Sequence, residues 1–409
     1  MERRSVSDLQ QHFQKILRDA EGDKELVITH AEETEGSKLG DNYMSIVLRT
    51  KVTGRRGNGE VYSGSFMTKH YPRHRAIAQV MRNADLFINE AYVYNQILPQ
   101  LGDIAPRCVF ADENEIVLAD LKDEGYMVMP RLELLDLEHC KAVVQCLAKM
   151  HARSYALKRK DPKKFEELMS STIEAVFPQD DAPCMGSSMD VSINTAINHL
   201  ESLEDTSDEL RSAIEFVRSL IGKSVEIMKT LVLPGQGKYD VLSHGDAWNN
   251  NILFKHDAGG HVVDVKLIDY QIPRHVSAAI DFHYLMYSSA KAAVIDENYD
   301  EIIRSYHSAL VHHLGKCNVP EGDVKGMSID WFRDELQKHH MYGLLTTFWL
   351  VNAVLAEENE TVNLDDFSAD FLEEIEKFTP VVTRKKAERI RFVVLHCIKR
   401  YRSKETVGK

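Results

Sequence analysis

The chain has 409 residues, 44% of them hydrophobic and 28% charged, an ordinary globular mixture that can bury a core without disulfide staples. Lysine and arginine number 50 against 63 aspartate and glutamate, a net charge of −13. That balance argues against a general nucleic-acid binder but is compatible with holding a nucleotide through a metal. Six scattered cysteines, at positions 108, 140, 146, 184, 317 and 397, include no C-x-x-C pair. The N-terminus lacks a signal-peptide pattern and no run approaches the ~20 apolar residues of a membrane span, so the expectation is a soluble cytoplasmic protein.

In chain order, residues 5–20 read as an amphipathic helix capped by Ser7, with Leu9, Phe13, Ile16 and Leu17 on one face. Three strands follow, ELVITHAEE, YMSIVLRTKV and VYSGSFMTKH, separated by the glycine-bearing turns EGSKLGDNY and GRRGNGE. Residues 85–98 carry a helical pattern, with Leu86, Asn89, Glu90 and Val93 on one stripe, and Pro99 is expected to end it. RCVFADE and NEIVLADL are two further strands. From Leu134 the pattern turns helical through DLEHCKAVVQCLAKMHARSYALK and KKFEELMSSTIEAVF, then a loop at 178–190 and one long helix over about 205–230. Strands return at VLSHGD, NILFKH and HVVDVKLIDY, the last two forming a hairpin about the turn DAGG, and everything beyond about 280 is helical. A β-rich first ~120 residues and a helical remainder predict a two-lobed α+β protein, 1–121 and 122–409.

The chemistry concentrates in SHGDAWNNNILFKHDAGGHVVDVKLIDYQ. Asp246 sits in a tight His-Gly-Asp turn. Asn251 lies five residues on, just before a strand, and the return strand of the hairpin ends at Asp269. Hard oxygen ligands of this kind suit Mg²⁺, which keeps water and bridges phosphates. Phosphoryl transfer needs such a metal clamp, a positioned cation and an acceptor for the hydroxyl proton. Asp246 is the candidate acceptor, and Asn251 with Asp269 are the candidate metal ligands. The D-x-x-x-x-N interval matches that of protein-kinase catalytic loops. Lys69, at the end of a strand, and Glu90, in the following helix, match the kinase pair that positions ATP phosphates.

The ordered stretches GSKLGDNYMS, FMTKHYP, FINEAYVYNQILPQL, IVLADLKDEGY, LAKMHARS, LSHGDAWNNNILF, VKLIDYQ and AAIDFHYLMYSS resemble the ecdysteroid kinase-like family, also called choline kinase-like. That family belongs to the aminoglycoside-phosphotransferase branch of the protein-kinase-like fold. The resemblance implies ATP- and Mg²⁺-dependent phosphorylation of a small-molecule alcohol, an ecdysteroid ahead of choline or ethanolamine. A catalytically inactive nucleotide-binding pseudokinase is the other reading. It implies that residues 1–121 form the nucleotide-binding lobe and 122–409 the lobe with the catalytic hairpin and acceptor pocket. Lys69 would hold the phosphates, Glu90 would orient Lys69, Asp246 would be the base, and Asn251 and Asp269 would hold metal. Gly36, Gly40 and Asn42 would form the nucleotide turn, and the hinge backbone at Ala119 and Leu121 would face adenine. Ala119-Asp120 departs from the acidic pair often found there. Asp281 is expected to anchor the loop to the helical lobe, and Trp248 to pack in the core or line the acceptor pocket.

The pairs His312-His313 and His339-His340 do not read as metal sites, because adjacent helical side chains point apart. The segment RKKAERIRFVVLHCIKRYRSKE reads as a final amphipathic helix with its bases toward solvent.

Overall fold

The computed structural model describes residues 4–36, 45–73, 82–180, 188–205, 207–357 and 381–402. Its first helix, α1 (Val6–Glu21), is capped one residue earlier than the first turn occupied by Ser7. Ser5 takes extended backbone angles; its hydroxyl accepts the Asp8 N–H at 3.2 Å and donates to the Asp8 carboxylate at 2.6 Å, a cap that Ser7 cannot offer from inside the helix. The face Leu9, Phe13, Ile16 and Leu17 is buried as its spacing predicts.

Five strands form one antiparallel sheet: β1 (Val27–Glu35), β2 (Ile46–Arg55), β3 (Val61–His70), β4 (Cys108–Ala111) and β5 (Glu115–Ala119), in the order β1-β2-β3-β5-β4. The central β3 is fixed on both edges, with Lys69 opposite Val47 of β2 and Ile116 of β5. One face of the sheet and α1 enclose a small core that includes Phe13, Val52, Phe66 and Val117. Ile116, adjacent to Val117 and so on the opposite face, joins a second and larger core shared with α2 (Asn83–Tyr92) and the helical lobe.

Pro99 does not end the helix that contains Glu90. The chain passes through a π-helical turn at Val93–Ile97, where the Leu98 N–H bonds the Val93 carbonyl five residues back. A last turn, Leu98–Leu101, then carries Pro99 near its start, where a missing N–H costs no helical bond.

The helical lobe holds two small sheets. β6 (Tyr126–Val128), β8 (Ile252–His256) and β9 (Val262–Leu267) pair in the order β6-β8-β9, and β7 (Val241–Ser243) pairs with β10 (Arg274–Val276). The hairpin β8–β9 is as predicted; β6 and β10, three residues each, carry too short a pattern to read. Around them pack α3 (Leu137–Lys160), α4 (Pro162–Ser170), α5 (Met189–Glu201), α6 (Asp208–Arg218), α7 (Ser224–Leu231), α8 (Ala279–Ser289), α9 (Ala292–Lys316), α10 (Glu321–Gly326), α11 (Ile329–Val354) and α12 (Arg384–Cys397). Every residue of α8 is buried, which makes it the axis of the lobe. No described helix is long and apolar enough to cross a membrane.

Two predicted helices are shorter than their periodicity. The helix expected through TIEAVF stops at Ser170, because the Glu174 carboxylate takes the N–H groups of Val176 and Phe177 at 3.1 and 2.9 Å and offers them an alternative to helical bonds. The helix expected over 205–230 is two, α6 and α7. Between them Gly222 takes a left-handed φ of 74°, and Asp190 of α5 accepts from the Gly222 N–H at 2.9 Å and the Ser224 hydroxyl at 2.6 Å.

The bases of α12 do not all face solvent. Arg389 is buried, and its guanidinium donates to the carbonyls of Ala290, Tyr287 and Met286 at 2.7, 2.9 and 3.2 Å. It closes the C-terminal end of α8, whose last carbonyls have no helical partners. Arg389→Met, which keeps volume but has no donor, is expected to destabilise the protein by about 3 kcal/mol in urea unfolding. A Met variant as stable as the parent would show that these bonds do not hold α8.

Candidate active site

Lys69 leaves the end of β3 and meets two carboxylates. Its ammonium lies 2.5 Å from Glu90 Oε2 and 2.7 Å from Asp269 Oδ1. Glu90 reaches it from α2 and Asp269 from just beyond β9. Burial works against the ammonium, but Asp269 and Glu90 outweigh it and hold the Lys69 pKa above the ordinary lysine value. The Gln271 amide also reaches Glu90, at 3.4 Å. Beside it, Asn89 bridges lobes: its amide nitrogen donates to the carbonyls of Ile173 and Gln271 at 2.7 and 3.1 Å, and its oxygen accepts the Ile173 N–H.

Asp246 follows β7 in a turn that only glycine permits. Gly245 has φ 81°, and a Cβ there would stand 2.0 Å from the Ile272 carbonyl oxygen. The Asn251 amide donates to Asp246 Oδ2 and to the Asp246 carbonyl, both at 2.9 Å. The Tyr284 hydroxyl of α8 donates to Asp246 Oδ1. Each carboxylate oxygen therefore has its own donor, and the side chain is fixed in rotation. Burial first, and then the Asp269 charge, push the Asp246 pKa up to about 7 against the pull of those donors.

The hairpin brings Asn251 and Asp269 to one edge. Ile252 faces Leu267, and the Ile268 N–H extends the ladder to the Asn251 carbonyl at 3.0 Å. Asp269 then turns back with a left-handed φ of 68°, uncommon for a non-glycine residue. Among the described residues no three His, Cys, Asp or Glu side chains converge into a metal cage. The donor set fits a different kind of cation. With its nitrogen engaged by Asp246, Asn251 offers an amide oxygen, and Asp269 adds a carboxylate. One carboxylate and one amide suit Mg²⁺, which brings water and phosphate oxygens of its own.

A buried aspartate holds the loop from below. Asp281 of α8 accepts the N–H groups of His244 and Gly245 at 2.7 and 2.8 Å and faces His151 Nε2 at 3.0 Å; Tyr306 contacts the other ring nitrogen at 2.8 Å. Burial alone would raise the Asp281 pKa, but His151, then His244 and the loop amide hold it below the ordinary range. His244 itself is buried, with its pKa lowered by that burial. Its Nδ1 accepts the Asp246 N–H at 3.3 Å, so Nε2 carries the proton toward the Ile268 carbonyl at 3.0 Å. It acts as a strut between the loop and the hairpin.

The other predicted site residues are placed as follows. Gly36 ends β1, bonds the Val47 carbonyl and is packed so closely that a Cβ would come within 2.9 Å of β2 backbone. Gly40 and Asn42 lie outside the described residues. Ala119 donates its N–H to the Arg107 carbonyl at 2.8 Å, and the Leu121 carbonyl accepts from Glu124 and Tyr126, both at 3.1 Å. Asp120 points away from the cleft into the sheet, accepting from Arg49 at 2.7 Å and Ser65 at 2.9 Å. Trp248 is buried in the core. His339 and His340 approach the carbonyls of Glu335 and Gln337 on their own helix, and the His312 and His313 rings meet edge to face. Sequence reading missed Tyr284, His151, Gln271 and Asn89 as members of the site. A polar residue inside an otherwise apolar helical face was the available signal for His151 and Tyr284.

A sheet lobe with a strand lysine paired to a helix glutamate, over a helical lobe carrying the Asp-Asn-Asp hairpin, defines the two-lobed protein-kinase-like fold. A family model described as the ecdysteroid kinase-like family matches residues 39–319, well over half of the chain. The chain belongs to that family, and its function is of the small-molecule kinase-like, phosphotransferase kind. No curated protein matches. Among solved structures, the apoenzyme of macrolide 2'-phosphotransferase MphH from Brachybacterium faecium is similar at 12% identity and a TM-score of 0.36, covering 86% of this chain and 99% of that one.

Asp281→Ala strips two backbone donors and His151 of their buried acceptor and is expected to cost about 3–5 kcal/mol of stability. A loss under about 1 kcal/mol in denaturant unfolding would remove Asp281 as the anchor of the loop.

Proposed function

We propose that this protein transfers the γ-phosphate of ATP, with Mg²⁺, to a hydroxyl of a small alcohol, an ecdysteroid or a related hydroxylated lipophile. The observation that carries the reading is the convergence of Lys69, Glu90 and Asp269 in one cluster beside Asp246 fixed by Asn251 and Tyr284. The ecdysteroid class is supported by family membership.

Lys69 binds the nucleotide phosphates and Glu90 orients it. The hinge backbone at Ala119 and Leu121 faces the adenine. Asn251 and Asp269 hold the metal, which when bound neutralises charge on the phosphates. The acceptor hydroxyl lies against Asp246. As its oxygen bonds the γ-phosphorus and the bond to the β-phosphate oxygen breaks, its proton passes to an Asp246 carboxylate oxygen. A carboxylate whose pKa is raised by burial takes that proton more readily than an exposed aspartate would. The donor from Tyr284 keeps the accepting oxygen in place without carrying charge of its own.

Purified protein with Mg-ATP is expected to phosphorylate at least one member of a panel of ecdysteroids, choline, ethanolamine and hydroxylated lipophiles, read by mass spectrometry. Asp246→Ala should lower that rate by about 100- to 10,000-fold with ATP affinity retained. ATP binding with no transfer across the panel would favour an inactive nucleotide-binding protein. Asp269→Ala should weaken nucleotide binding only when Mg²⁺ is present; an unchanged Mg²⁺ dependence in calorimetry would remove Asp269 from the metal.

A further inference from the structure

On the helical lobe, α3, the end of α9 and the start of β9 border an open groove of about 570 Å³. Lys149, Arg153, His313 and Lys316 line it, against one carboxylate, Asp264. In a chain of net charge −13 this is a local reversal of sign. Asp264 is already engaged, by Lys266 at 3.2 Å and by the Tyr126 hydroxyl.

The cations are not neutralised in the same way. Lys149 donates to the Asp103 carbonyl and Arg153 to the Leu101 carbonyl, each at 2.6 Å. Among the described residues none of Lys149, Arg153 and Lys316 has an ion-pair partner, so neutral carbonyls orient two of them and leave their charge in place. His313 reports the resulting field. Its pKa is pushed down to about 4, by burial first and then by His312, Arg153, Lys149 and Lys316. The part of that shift that comes from Arg153, Lys149 and Lys316 is the part that favours an anion beside them. Val262, Val263 and Val265 of β9 also line it, Val263 being exposed. The volume falls in the range of small-molecule sites.

We propose that this groove is a second binding site for a small organic phosphate, its anionic end held by Lys149, Arg153 and Lys316 and its apolar body lying along β9. None of its lining residues belongs to the Asp246 cluster, and it borders the opposite end of β9 from Asp269. The proposal does not rest on the proposed reaction, and either can fail alone.

Phenyl phosphate is the probe, titrated calorimetrically into the unmodified full-length protein, with the changes at 145, 149 and 316 distinguishing this groove from the Lys69 cluster. Saturable binding is expected at about 1 mM or tighter, weakening as salt is raised. The double variant Lys149→Gln/Lys316→Gln should weaken it at least about tenfold. Gln145, exposed at the rim, provides a test that leaves the core untouched: Gln145→Glu should weaken binding and Gln145→Lys should tighten it. Benzyl alcohol, which lacks the anion, should not compete. Absence of saturable binding, or an affinity indifferent to the changes at 145, 149 and 316, would overturn the proposal.

Discussion

A single ammonium group makes the meeting of the two lobes possible. Glu90 is 1% exposed and faces Asp269 across Lys69, with 2.5 and 2.7 Å contacts on either side. Without the cation, two carboxylates would be left in one desolvated space, each raising the cost of the other. Around that point two side-chain amides add bridges: Gln271 to Glu90, and Asn89 to the backbone of Ile173 and Gln271. The amide bonds help set the geometry, and the ion pair makes the geometry tolerable. The same charges that would position phosphates thus also hold the sheet lobe at its distance from the hairpin.

The loop that carries Asp246 depends on a second buried charge. Asp281 takes two successive amide protons of the His-Gly turn, which fixes the peptide planes rather than any side chain. Gly245 is needed for the turn, and Tyr284, one helical turn from Asp281 on the same helix, reaches the Asp246 carboxylate. Both contacts come from α8, whose far end is closed by Arg389. A helix that is buried on every side can act as a rigid ruler for the loop, because neighbours fix it in every direction.

Much of this was legible in the sequence. Asp246, Asn251 and Asp269 could be singled out because each sits where an apolar run meets a turn, and Lys69 and Glu90 by their order on a strand and the helix after it. The helix faces of α1 and α2 followed from period alone. What could not be read depends on partners distant in sequence. Gly222 breaks a helix that is periodic across the break because Asp190 supports it, and Glu174 unwinds a segment because its carboxylate takes two of its amides. Arg389 looks like a solvent-facing base until the end of α8 is placed against it. Tyr284 looks like core. In each case the local pattern was sound and a side chain from elsewhere decided the outcome.

The two cores differ in how far apart in the chain their partners lie. The small one joins residues 9 to 66 and one strand residue at 117, so it can close soon after that stretch of chain exists. The bonds that place the functional groups span far more: 130 residues from His151 to Asp281, 155 from His151 to Tyr306 and 200 from Lys69 to Asp269. Contacts of such separation form late, after the loops between them have been closed. During synthesis, the sheet lobe can therefore be shaped while the residues that complete its site are still to be made. Until Asp269 arrives, Lys69 has only Glu90 as its partner.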